Sequence, residues 1–161
     1  MITRGQYISH VKQSQREFRR FLMALCCGDA FMADEVAQEA YIKAYMALDS
    51  PRDAGKFNAW IFRIGYNTFI SHRRAERRYV EYEQAGQLQG EERPDKAFDY
   101  QALYAALRLL PASERTAVLL YYMQGYSIKE VSRIIDASAD AVKQYLSRGR
   151  KHLRDLLTKE S

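Results

Sequence analysis

The chain has 161 residues, 47% of them hydrophobic and 28% charged, enough apolar content for one medium domain or two small ones. Its formal charge of +5 favours a polyanionic partner, and the lack of a long apolar run or a secretory core in Met1 to Gln15 argues for a cytoplasmic protein without direct membrane insertion. The scattered His10, His72 and His152 have no metal-ligand spacing, and no Gly-rich phosphate loop, nucleophile elbow or HExxH pair occurs, so no enzyme, metal, cofactor or small-molecule substrate is expected.

With only 8 glycines and 3 prolines, the chain reads as all-α. Amphipathic segments over about Gly5 to Cys27, Ala30 to Leu48 and Lys56 to Arg78 predict three helices of an N-terminal module. Cys26 and Cys27 are adjacent, and neighbours on a helix point to different sides, so two buried free thiols are expected. In the third helix Phe57, Trp60, Ile61 and Ile64 supply a core stripe. Arg63, Asn67, Ser71, Arg74 and Arg78 recur at helical spacing on another side. His72, Arg73, Arg74, Arg77 and Arg78 concentrate positive charge at the end of that helix, where the macrodipole also favours cations. Basic residues interleaved with aromatics suit single-stranded nucleic acid, which is held by stacking and phosphate neutralisation. A base pocket there would use the preceding loop, Ser50 to Lys56, with Asn67 as a polar reader.

Tyr79 to Asp95 has little apolar periodicity and carries Gly86, Gly90 and Pro94, the composition of a flexible linker. The chain thus divides into residues 1–79, a linker over 80–96, and a second small helical domain over 97–161. In the latter, Tyr100, Leu103, Leu107 and Leu110 form a helical stripe, and Pro111 breaks it before a helix carrying Ala117, Val118, Leu120 and Tyr121. Ser127 and Glu130 have capping-box spacing ahead of Ile128, Val131, Ile134 and Ile135. Asp136, Ala137 and Ser138 interrupt the period, and Ser138 with Asp140 starts a last helix. Val142, Leu146, Gly149, Leu153 and Leu156 or Leu157 form its buried stripe, leaving Lys143, Gln144, Ser147, Arg148, Arg150, Lys151 and Arg154 outside. Two helices joined by a tight polar turn, the second one basic, make a helix-turn-helix within a four-helix unit. Such a helix fits the major groove of duplex DNA, with Lys143, Gln144 and Arg148 nearest the bases and Lys151 on phosphate.

These residues carry a resemblance. Ala33-Asp34-Glu35-Val36-Ala37-Gln38-Glu39-Ala40-Tyr41-Ile42-Lys43-Ala44-Tyr45 resembles the polymerase-binding helix of conserved region two in bacterial sigma factors. Phe57-Asn58-Ala59-Trp60-Ile61-Phe62-Arg63-Ile64-Gly65-Tyr66-Asn67 resembles the promoter-melting segment that follows, and Leu110-Pro111 through Leu153-Arg154 resembles region four. Order and spacing are similar to the extracytoplasmic-function (ECF) group of the sigma-70 family, over nearly the whole chain. The resemblance implies a non-enzymatic initiation factor that docks on the beta-prime clamp helices of core RNA polymerase through Asp34, Glu35, Gln38 and Glu39. It implies capture of the unpaired minus-ten strand by Lys56, Arg63, Asn67, Ser71, Arg74, Arg77 and Arg78, and of the minus-thirty-five duplex by Lys143, Gln144, Ser147, Arg148 and Lys151. An anti-sigma factor is an implied partner. Gly65-Tyr66, Gln144-Tyr145 and Gly149 depart from the usual family pattern, so a promoter sequence does not transfer. The residues alone also admit a stand-alone helix-turn-helix repressor with N-terminal dimerisation helices, or a sigma-like mimic that sequesters an anti-sigma factor. The cationic faces argue against the mimic.

Overall fold

A computed structural model of the chain describes residues 2–49, 56–83 and 100–159, with the side chains of all but 78–83 and 159. Among these residues the structure is helical throughout, without a strand: α1 (Arg4–Leu25), α2 (Ala30–Met46), α3 (Phe57–Glu83), α4 (Gln101–Leu109), α5 (Ala112–Val118), a π-helical turn (Leu119–Met123), α6 (Ile128–Ile135) and α7 (Ala139–Lys159).

Local chemistry sets the helix starts. Thr3 and Gln6 form a reciprocal capping box at α1. The Asp29 carboxylate accepts from the Met32 N–H at 3.1 Å to open α2. Between them the chain reverses through two left-handed residues, Cys27 at φ 55° and Gly28 at φ 89°. Both cysteines are free and buried, as expected. Burial pushes the Cys26 thiol up to about 12, with Asp29 as a further contributor.

The three N-terminal helices close around an aromatic core. Phe18, Phe21 and Phe62 are almost wholly buried, and the rings of Phe21 and Phe62 lie 5.0 Å apart. The buried face of α2 carries Ala33, Ala37, Ala40 and Ala44 beside Val36, small residues that let its backbone come close to its neighbours. Gly65 does the same in α3, because a Cβ there would stand 2.7 Å from the Phe18 ring. Phe57 and Ile61 fill the expected core stripe, with Trp60 and Ile64 partly buried beside them.

One boundary moves. α3 continues to Glu83, four residues beyond 79, so residues 80–83, expected as linker, are helical. The stretch Tyr79 to Glu83 holds no glycine or proline, and Gly86 is the first breaker in the sequence. Linker residues 84–96 lie outside the described residues.

In the C-terminal unit α4 stops ahead of Pro111, and α5 runs directly into the π-helical turn, so four helical elements surround Leu107, Ala117, Leu120, Val131, Ile134, Val142 and Leu146. The stripe on α4 is only half core: Leu107 and Leu110 are buried, whereas Tyr100 and Leu103 are exposed. The stripe on α7 weakens toward its end, where Leu157 is exposed. Gly149 meets α5 so closely that a Cβ would stand 2.6 Å from Val118 Cγ2.

The two units pack on each other and share one hydrophobic core. α3 lies along α6, with the Phe62 and Tyr126 rings 5.5 Å apart and edge-on. Tyr104 of α4 covers Gly28, whose missing Cβ would come within 2.9 Å of that ring.

Candidate nucleic-acid and polymerase interfaces

The helix-turn-helix forms by the chemistry expected of it. The Ser127 hydroxyl accepts from the Glu130 N–H at 3.1 Å while Glu130 accepts from the Ser127 N–H at 2.9 Å. α6 ends on Asp136 in the left-handed conformation, φ 56°, and the Ser138 hydroxyl accepts from the Ala141 N–H at 3.1 Å to start α7. Lys143, Gln144, Ser147, Arg148 and Lys151 are all exposed on α7, opposite buried Val142, Leu146 and Gly149. Two contacts hold this helix from behind. His152 Nδ1 lies 2.8 Å from a carboxylate oxygen of buried Glu114, and Arg150 donates to the Tyr122 hydroxyl at 2.8 Å. Arg150 therefore serves packing of the unit rather than standing free.

On α3, Asn67, Ser71, Arg74 and Arg77 are exposed along the helix, with Lys56 and Arg63 toward its start. The side chain of Arg78 and the loop residues Ser50 to Gly55 lie outside the described residues. Arg63 is exposed but engaged, donating from Nη1 to the Arg133 carbonyl at 2.6 Å. Arg73 does not join that face: its guanidinium lies over the Phe69 ring, and its buried Nη1 has no hydrogen-bond partner.

The acidic residues of α2 divide into two sets. Asp34 is held by Arg19 at 2.5 Å. Glu39 is held by Lys43 at 2.9 Å and His72 at 3.0 Å. The hydrogen bonds from His72 and Lys43 keep the Glu39 carboxyl below its ordinary value. Glu35 and Gln38 are exposed. They lie on a stripe with Phe31, Ile42 and Met46, apolar residues that are 75%, 63% and 79% exposed. The spacing 31, 35, 38, 42, 46 alternates four and three residues, the repeat with which one helix follows another. Sequence reading of α2 weighed its charges and passed over these apolar anchors. Their alternation with the alanine face would have revealed them.

Arg115 was also missed. Its buried guanidinium donates to the carbonyls of Leu107 (2.8 Å), Arg108 (3.3 Å) and Leu110 (3.2 Å) at the end of α4. Its Nη1 reaches the Leu25 carbonyl at the end of α1, 2.9 Å away. Two helix C-termini, each with unpaired carbonyls and the negative end of its dipole, thus converge on one cation. Burial lowers its pKa from 12.5, and the carbonyls supply acceptors in place of a carboxylate. Arg108 adds a bond to the Cys27 carbonyl at 3.2 Å. The sequence signal is Pro111, which leaves the α4 carbonyls open just ahead of an arginine.

Among the described residues no group of His, Cys, Asp and Glu is disposed to hold a metal ion, and no helix is long and apolar enough to cross a membrane. A helix-turn-helix unit and a three-helix unit, with exposed cationic faces on α3 and α7, define the class as an all-α DNA-binding regulator. Residues 2–79 match the family described as Sigma-70 region 2, and residues 100–153 match Sigma-70, region 4. The chain is similar to the ECF RNA polymerase sigma factor EcfG of Rhodopseudomonas palustris, with 30% identity over 142 residues, 86% of this chain and 78% of the relative. Similarity to the RNA polymerase sigma-H factor of Pseudomonas aeruginosa is 31% over 138 residues, covering 76% and 72%. Its fold superimposes on the sigma factor RpoE solved in complex with the anti-sigma factor NepR from Bartonella quintana, with TM-score 0.84, 25% identity and coverage of 94% and 96%. CnrH, solved with the cytosolic domain of CnrY, shares the fold at TM-score 0.72 and 23% identity, covering 99% of this chain and 92% of CnrH. The chain belongs to the sigma-70 family, in its ECF group, and is an RNA polymerase sigma factor.

Proposed function

We propose that the chain is the dissociable promoter-specificity subunit of bacterial RNA polymerase, with the labour divided between residues 1–79 and 97–161. The exposed stripe of α2, with Glu35 and Gln38 among Phe31, Ile42 and Met46, docks on the beta-prime clamp helices of core polymerase. The exposed face of α3, from Lys56 through Arg63, Asn67, Ser71 and Arg74 to Arg77, takes the unpaired minus-ten strand. Arg78 extends that face by sequence. Extruding a base costs a few kcal/mol of unstacking, which a cationic face offsets. Lys143, Gln144, Ser147, Arg148 and Lys151 read the minus-thirty-five element as duplex. The observation that carries this reading is that both cationic faces occur, exposed, in the two stretches that match the family's two regions.

The protein needs no catalytic residue of its own, since phosphodiester chemistry belongs to the polymerase, and its place of work is the cytoplasm. An anti-sigma factor is its third partner. The Bartonella quintana relative, similar over nearly all of both chains, was solved with one.

Run-off transcription with purified core polymerase on fragmented DNA from the protein's own source tests the reading. Discrete new transcripts with upstream elements at fixed spacing are expected. Stable binding to duplex DNA without any transcript would replace the sigma reading with a repressor, and binding to neither DNA nor core would replace it with a mimic.

A further inference from the structure

The minus-ten face of α3 is not fully free in the closed molecule. Arg63 donates to Arg133, a carbonyl in the last turn of α6 that has no partner within its own helix. Tyr66, three residues on, is half-buried near Tyr145 of α7. At the other end of the joint Arg108 and Arg115 hold the carbonyls of Cys27 and Leu25. Arg115 is oriented by three carbonyls of its own unit, so its Nη1 is aimed at α1 with little loss of freedom. Because both units belong to one chain, a few such contacts suffice to keep them together.

We propose that these contacts form an intramolecular latch in which Arg63 is a shared residue, bonded to the Arg133 carbonyl when the units are closed and free for the minus-ten strand only when they part. The assignment rests on the reading of α3 as the minus-ten surface. A guanidinium that donates to a buried-side carbonyl at 2.6 Å cannot grip a phosphate with the same N–H. Closure and promoter capture therefore compete for one side chain, and binding to polymerase has to break the joint. Arg108 belongs to the latch alone, since it lies on none of the surfaces assigned to DNA or polymerase.

The test uses the full chain and the variants Arg108→Ala, Arg63→Ala and the double substitution, with helicity measured to establish that each is folded. Solution scattering reads the distance between units, and stopped-flow mixing with core polymerase reads association. The wild type should scatter as a compact particle, and the variants should be more extended. Loss of a charged hydrogen bond should shift the closed–open balance about 10-fold and speed association with core accordingly, without faster dissociation. A wild type already extended, or folded variants as compact as the wild type with unchanged association, would overturn the latch. If no form binds core polymerase, the sigma reading fails instead, while scattering still decides whether Arg108 and Arg63 hold the units closed.

Discussion

Glycine 65 shows how a residue can carry opposite signs in sequence and structure. Helix propensity alone says that Gly65→Ala gains about 1 kcal/mol. The added methyl, however, would stand 2.7 Å from the Phe18 ring, between helices whose aromatic core is fully buried. Overpacking of that kind costs about 1–3 kcal/mol, so the substitution should lower the denaturation midpoint, and a rise in chemical-denaturation stability would refute the packing role. Glu39 gives a pH-dependent counterpart. Its carboxyl titrates lower folded than unfolded, so its contribution is present above the ordinary value of 4.5 and fades as the pH falls through the lowered folded value. Glu39→Gln should flatten this acid limb of the stability profile by a small amount, because the pair is half exposed and screened by solvent. An unchanged acid limb would mean that His72 and Lys43 contribute nothing measurable.

Secondary elements were the most legible level. Capping at Ser127 and the break at Asp136 to Ser138 could be read because hydroxyls and carboxylates act within three residues of the N–H groups they satisfy. Ser127→Ala should cost about 1 kcal/mol of stability in thermal unfolding. The outward face of α7 was equally legible from its spacing, and Arg148→Ala should weaken use of the minus-thirty-five element by about 1–3 kcal/mol if the side chain makes a bidentate base contact. Normal initiation by that variant at every promoter would remove Arg148 from the reading surface. The end of α3 was less legible, since the last polar turns have no apolar stripe but also no breaker, and helix persists to Glu83. On α2 the charges attracted notice, while what distinguishes its outer face is apolar: Phe31, Ile42 and Met46 stand exposed between Glu35 and Gln38.

At the scale of the whole molecule, that exposure decides between two accounts of docking. Asp34 and Glu39 already have partners within the chain, so their carboxylates are less available to a second protein. Ile42→Ser should therefore weaken binding to core polymerase by about 1–3 kcal/mol, and more than Asp34→Ala does. The reverse order, measured by titration of labelled chain with core, would return the interface to charge. The packing of the two units on each other had no counterpart in sequence pattern. Arg63, Arg108 and Arg115 bond to main-chain oxygens that the fold brings from 70, 81 and 90 positions away, and no residue type marks a carbonyl. Those acceptors have a consequence for how such a joint can drift over generations. A side-chain ion pair can be erased from either partner, whereas the oxygens of Leu25, Cys27 and Arg133 survive any substitution that preserves the helix ends. The joint is thus written on one side only, in three arginine codons, and its strength can be tuned or abolished there while the opposing surface varies freely.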